Sequence, residues 1–252
     1  MSINSTATPG EAVIEVLPWN NPSNILSIQD YQGTVYYYNV VMKPVVVVAG
    51  VATNIVNCLV FRRQGLKDRM NLCLFVLALI DIVYLLYCMI FTVTYWMKIL
   101  DPVLGEEFYQ ITFCYAGGVC SGLRETSTSV SVLIAVERCV CVVFPLRANS
   151  FMTTRTMGIL LAAIVVGMQL AFIMTPLKRF VFPVYDNTTG MTMWKVARSA
   201  TWQDNEALLL YDTVDDTILL VAFPFIVFIL VSGATAITVV KMLDVLWTVK
   251  AD

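Results

Sequence analysis

The chain has 252 residues, 58% hydrophobic and 13% charged, the latter about half the share usual for a soluble domain. A mean hydropathy of +0.76 at this length reads as an integral membrane protein rather than a large soluble core. The net charge of −2 with scattered basic residues carries no polyanion signal, so no nucleic acid partner is expected, and the absence of His removes the commonest general base and metal ligand.

Residues 1–39 are polar and rich in turn formers (Pro9-Gly10, Pro18, Asn21-Pro22, Gln32-Gly33) and read as an external N-terminal tail without a removable signal peptide. Asn4-Ser5-Thr6 is a glycosylation sequon, whereas Asn21-Pro22-Ser23 is blocked by its proline. The first apolar run, Val45–Phe61, belongs to a span over about residues 40–62. Asn54 and Asn57 share one of its faces and suit interhelical hydrogen bonding. The run ends in Arg62-Arg63-Gln64-Gly65-Leu66-Lys67-Asp68-Arg69, four basic residues against one acid. Short basic loops stay in the cytoplasm, which puts the N-terminus outside.

A second span, about 71–97, carries the single charge Asp81, and the acidic loop from Lys98 to Gln110 then lies outside. The third span, about 111–144, is long and apolar, yet holds two charge pairs, Arg124-Glu125 and Glu137-Arg138. A charge at the bilayer centre costs about 2.5–3.5 kcal/mol, so such residues face a bundle interior or water. Arg147 and Arg155, with no acid between them, place the next loop inside. The fourth span, about 157–178, is charge-free from Met157 to Leu177. Residues 178–217 are polar, with six acids against four bases and a second sequon, Asn187-Thr188-Thr189, and are placed outside. The fifth span, about 216–243, is charge-free from Thr217 to Val240 and leaves the C-terminus inside. Residues 40–252 therefore read as one all-α membrane domain of five helices. Cys58, Cys73, Cys88, Cys114, Cys120, Cys139 and Cys141 lie mostly within apolar runs, as small buried hydrophobes do.

Glu137-Arg138-Cys139, with Val142, Pro145 and Leu146, resembles the acid-Arg-Tyr, Val, Pro-Leu pattern that closes the third helix of rhodopsin-like G-protein-coupled receptors, with Cys in place of Tyr. Asn71, Leu77-Ala78 and Asp81 resemble the second-helix pattern of that family, Asn54 its first-helix Asn, and Pro224 its fifth-helix proline. The family's fourth-helix Trp is missing. The resemblance covers roughly residues 40–245, and Asn54-Ile55-Val56-Asn57, Gly65-Leu66-Lys67-Asp68 and Asn71-x-x-Leu74 are most similar to invertebrate peptide or chemosensory receptors. The family has seven helices, and no Pro follows Pro224 to supply the motifs of the sixth and seventh. The expectation is thus the first five helices of a receptor, unable to signal alone. The intact receptor is expected at the plasma membrane, and this chain retained in the endoplasmic reticulum or associated with full-length partners.

The resemblance also implies roles. Glu137, Arg138 and Cys139 form the G-protein-contact motif, with Arg138 resting against Glu137 before activation; a snorkelling cation is the plain alternative. Asp81 is the family's sodium-binding acid, with Ser127 and Asn54 as companions, since hard oxygen ligands suit a hard cation. A structural pair of Asp81 with Asn54 is the other reading. Arg124 lies at ligand-pocket depth and suits an anionic group; Glu125, about 100° round the helix, cannot share that ligand, and either residue could instead hold a neighbouring helix. Cys120 stands where amine receptors carry Asp, which argues for a peptide or small chemosensory ligand and against a biogenic amine. Cys114 or Cys120 is the third-helix half of the family's external disulfide, but no Cys follows Cys141, so the bridge has no partner and the outer loop must be held by packing. The expected partners are an extracellular ligand, a heterotrimeric G protein and membrane lipid, with Asn4 and Asn187 glycosylated and no cofactor beyond a sodium ion. A truncated receptor that modulates full-length partners and an unrelated five-span transporter or channel remain alternatives. No nucleophile-base spacing or metal-ligand cluster points to an enzyme.

Overall fold

Ser27 begins the first helix: its hydroxyl accepts from the Asp30 amide at 3.1 Å, an N-cap bond that satisfies one of the helix's free donors. The structure, a computed structural model, describes residues 27–145, 147, 152–186 and 191–251. Asn4 and Asn187 lie outside the described residues. Helix α1 (Ile28–Tyr37) runs through a wide π-helical turn (Tyr38–Met42) into α2 (Lys43–Gln64). Pro44 in the first turn of α2 has no N–H to give, and the wide turn just before it takes up the mismatch. The helix thus starts well before residue 40 and absorbs Gln32-Gly33, which reads as a turn in isolation. Thr34 donates to the Asp30 carbonyl and Asn39 to that of Val35, so these polar side chains spend their hydrogen bonds on their own helix.

Helix α3 (Arg69–Leu100) is capped by Asp68, whose carboxylate accepts from the Asn71 amide at 3.2 Å. Asp101 alone separates it from α4 (Pro102–Val143), accepting from the Val103 and Leu104 amides at 3.1 Å. The acidic stretch from Lys98 to Gln110 is therefore not a loop but a sharp corner and the first turns of α4. Gly105 makes the corner: a Cβ there would sit 2.1 Å from the Lys98 nitrogen, so the chain passes itself with no room for a side chain. At 42 residues, α4 is about 63 Å long, twice the ~30 Å hydrocarbon thickness, and its outer turns rise beyond the membrane.

Helix α5 (Thr154–Ala171) is capped by the Thr153 hydroxyl. One turn, α6 (Thr175–Lys178), leads into an antiparallel hairpin of β1 (Arg179–Asp186) and β2 (Met191–Arg198), in which Arg179 pairs with Arg198 and Val184 with Met193. The described residues of the polar stretch 178–217 thus include this hairpin and two short helices, α7 (Ala200–Gln203) and α8 (Glu206–Asp215). A second π-helical stretch, Asp216–Ala222, precedes Pro224 and α9 (Phe223–Ala251), repeating the arrangement at Pro44.

Among the described residues, five helices are long and apolar enough to cross a membrane: Gln29–Gln64, Arg69–Leu100, Pro102–Val143, Thr154–Lys178 and Glu206–Leu243. Helix α4 is the hub, packing against α3, α5, α9 and the hairpin, while α2 packs on α3. Cys73, Ile80, Val130, Met157 and Leu161 close a core between α3, α4 and α5. Elsewhere the apolar surface points outward. Phe225, Phe228 and Ile229 are about two-thirds exposed, a face that lipid covers in a multi-pass membrane protein.

Candidate functional site

Polar groups recur along α4 at three depths. Towards one end of the bundle, a cavity of about 500 Å³ opens between the first three spans. Tyr38, Lys43, Tyr84, Cys88, Cys120 and Arg124 are among its lining residues. Lys43 follows the wide turn, and its ammonium lies 5.8 Å from the centre of the Phe91 ring. Arg124 is 49% exposed and bonds the carboxylate of its neighbour, Oε1 of Glu125, from both Nε and Nη2 at 2.8 Å. Glu125 is itself buried, so this adjacent pair sorts itself with the acid inward and part of the guanidinium towards the cavity.

A smaller cavity, about 200 Å³, lies on the other side of α4. It shares Phe113, Gly117 and Ser121 with the first and adds Lys178, Arg198 and Asp212. Lys178 and Asp212 are buried and form an ion pair, to which Arg198 adds a contact from Nη2 to Oδ2 at 3.2 Å. The Lys178 ammonium lies between the rings of Trp202 and Tyr211, at 5.9 and 5.8 Å. The outer segment is tied to α4 without a covalent bond: all seven cysteines are free, and the Cys114 thiol donates to the Arg179 carbonyl at 3.2 Å. The Arg179 guanidinium sits over Phe113 at 5.4 Å.

At the middle level, the Ser127 hydroxyl donates to Oδ1 of Asp81 at 2.6 Å, linking α3 to α4. The carboxylate and hydroxyl oxygens suit a hard cation, and these two residues would hold one. Asn54, the third candidate, donates its amide to the Gly50 carbonyl of its own helix at 3.0 Å.

At the opposite end of the bundle from the larger cavity, Glu137 is fully buried and its partner is not the adjacent Arg138 but Arg69, whose Nε lies 2.7 Å from Oε1. Arg69 also donates to the Met152 carbonyl at 2.8 Å and to the Cys141 sulfur at 3.0 Å. The Cys141 thiol in turn lies 3.2 Å from Oε1 of Glu137. Arg138, one residue on, turns to the exposed side of α4, and Cys139 is half-buried. The expected rest of Arg138 on Glu137 is thus replaced: the buried face of α4 takes the acid, and the cation able to reach it comes from the start of α3. Thr154, at the start of α5, donates to the Lys67 carbonyl in the loop before α3 at 2.7 Å.

Of the residues singled out by sequence, the structure brings together Asp81 with Ser127, and Arg124 with Cys120 at one cavity. It does not bring Asn54 onto Asp81 or Arg138 onto Glu137. Arg69, Lys43 and the Lys178–Asp212 pair were not legible as site residues. Lys43, a lone cation beside a proline at the edge of the first apolar run, was the one available signal.

No protein-family model matches the chain, and no curated protein matches it.

Proposed function

We propose that the chain carries the first five helices of a rhodopsin-like G-protein-coupled receptor, a sensor of an extracellular ligand with its N-terminus outside. The observation that carries the reading is the 2.6 Å bond from Ser127 to Asp81, which joins the second and third spans through the two residues that the receptor pattern assigns to its sodium site. The exposed Arg138 beside a buried, neutralised Glu137 supports the same reading. It leaves the cation at the cytoplasmic end of α4 open to a protein partner.

In this reading the outer cavities receive the ligand, and two cations near the larger one disfavour a biogenic amine. Asp81 and Ser127 hold a sodium ion in the resting state, and the heterotrimeric G protein docks at Arg138. The intact receptor works at the plasma membrane, glycosylated at Asn4 and Asn187.

The test is a cell assay of this chain expressed alone and together with a full-length rhodopsin-like receptor, reading nucleotide exchange on heterotrimeric G proteins and receptor surface level. The chain alone is expected to give no exchange and to lower the surface level of the co-expressed receptor. Ligand-dependent exchange by the chain alone, or an unchanged surface level of the co-expressed receptor, overturns the reading.

A further inference from the structure

The larger outer cavity places two basic side chains against apolar walls. Lys43 has no carboxylate partner among the described residues; its recorded neighbour is the Phe91 ring. A cation at an aromatic face gains less than a charge-assisted hydrogen bond to an anion adds. Arg124 commits Nε and Nη2 to Glu125, while a guanidinium has five N–H donors in a planar fork, so donors remain for a second acceptor. Both cations line the same cavity, together with Cys120. Counting Lys43, Arg124 and Glu125, the site holds one positive charge in excess. Val47, Leu85, Phe91 and Phe113 line the remainder. Its volume of about 500 Å³ falls in the range of about 300–1,000 Å³ typical of small-molecule sites.

We propose that this cavity binds an organic monoanion with an apolar body, its carboxylate or phosphate held between Lys43 and Arg124. The head neutralises the excess charge, and the body fills the apolar part against Leu85 and Phe91. The proposal deepens the receptor reading by naming the class of ligand, and rests on that reading only for the consequence of binding. The same head chemistry occurs in a free metabolite and in an anionic lipid entering sideways.

The experiment measures binding to the purified chain in phosphatidylcholine nanodiscs, using 4-phenylbutyrate, 4-phenylbutanol and 4-phenylbutylamine as probes. The acid is expected to bind at least tenfold more tightly than the alcohol or the amine. Lys43→Gln is expected to bring the acid down to the level of the alcohol, and Lys43→Arg to retain most of the preference. Gly117 has open space where a Cβ would stand, so Gly117→Phe fills the cavity and is expected to block all three probes without disturbing the charges. Equal binding of acid and alcohol, no binding of the acid, or wild-type affinity in Lys43→Gln overturns the proposal. Should Lys43→Gln fail to fold, the acid preference of the wild type and its loss in Gly117→Phe decide the matter. Repeating the titration in phosphatidylglycerol discs separates the sources. Acid binding weakened tenfold there, in the wild type alone, identifies a lipid head as the natural anion; unchanged binding identifies a free one. Acid binding with no effect of the chain on a co-expressed receptor removes the receptor reading and leaves this site standing. Such an effect without acid preference does the reverse.

Discussion

Arg69, at the start of the second span, donates to Oε1 of Glu137 on the third at 2.7 Å, and through Nη1 to the Met152 carbonyl at the entrance to the fourth. One side chain therefore holds three helices at this end of the bundle. Removing one member of a buried ion pair typically costs about 3–5 kcal/mol, because the other is left as an uncompensated charge. Arg69→Ala is expected to destabilise the reconstituted chain by about that much. The double variant Arg69→Met with Glu137→Leu is expected to recover most of the loss. Thermal unfolding of the two variants beside the parent chain checks this; a double variant no better than Arg69→Ala contradicts it.

Ser127→Ala deprives the Asp81 carboxylate of the donor it uses at 2.6 Å. A polar group left unsatisfied in this way costs about 1–3 kcal/mol. Asp81→Asn can still accept from Ser127 through its amide oxygen and carries no charge, so it is expected to be the milder change. Denaturation midpoints in the opposite order would show that the charge, rather than the hydrogen bond, holds the two helices.

Gly105→Ala and Gly117→Ala are expected to have opposite signs. At Gly105 the new Cβ meets the backbone of Lys98, which cannot move without opening the Asp101 corner, and overpacking of this kind costs about 1–3 kcal/mol or more. At Gly117 nothing lies within 4 Å, and replacing a helical glycine by alanine gains about 0.5–1 kcal/mol. Melting temperatures of the two variants measure both.

Asp212→Asn breaks the pairing with Lys178 and Arg198 at the foot of the hairpin. The amide of Ser199 donates to the Lys178 carbonyl at 3.0 Å and closes that hairpin, so loosening Lys178 is expected to spread to both strands. Hydrogen exchange should rise at least tenfold over Arg179–Asp186 and Met191–Arg198 while α3 is unchanged. Uniform acceleration would indicate global destabilisation instead.

Glycosylation mapping on microsomes checks the orientation. Asn187 is expected to be modified, and a sequon engineered into the loop from Arg62 to Arg69 is not. Modification of the engineered site reverses the topology.

The membrane helices were legible because charge-free runs such as Thr217–Val240 have few other fates. Their ends were less so. Gln32-Gly33 has turn composition, but Ser27 caps a helix ahead of it, and Thr34 and Asn39 satisfy themselves on their own backbone. The charges of Asp101, Glu106 and Glu107 read as a loop, whereas Asp101 acts as a cap and Glu106 pairs with Lys98 across the corner. Asp81 and Ser127 stood out as isolated polar residues in apolar surroundings, and they meet. Arg69 was hidden for the contrary reason: it is one of four cations in a short stretch, and its partner lies 68 residues away.

The contact from Cys114 to Arg179 has a consequence for production. The outer hairpin meets the third span through a thiol–carbonyl hydrogen bond and a ring–guanidinium contact, neither of which needs an oxidising step. Assembly of this face is accordingly indifferent to reductant. The chain can be made in a cell-free system with dithiothreitol throughout, where proteins stapled by a disulfide at this position lose their outer surface. The five thiols that are not fully buried then remain available as attachment points for probes, with Cys88 and Cys120 reporting from the wall of the larger cavity.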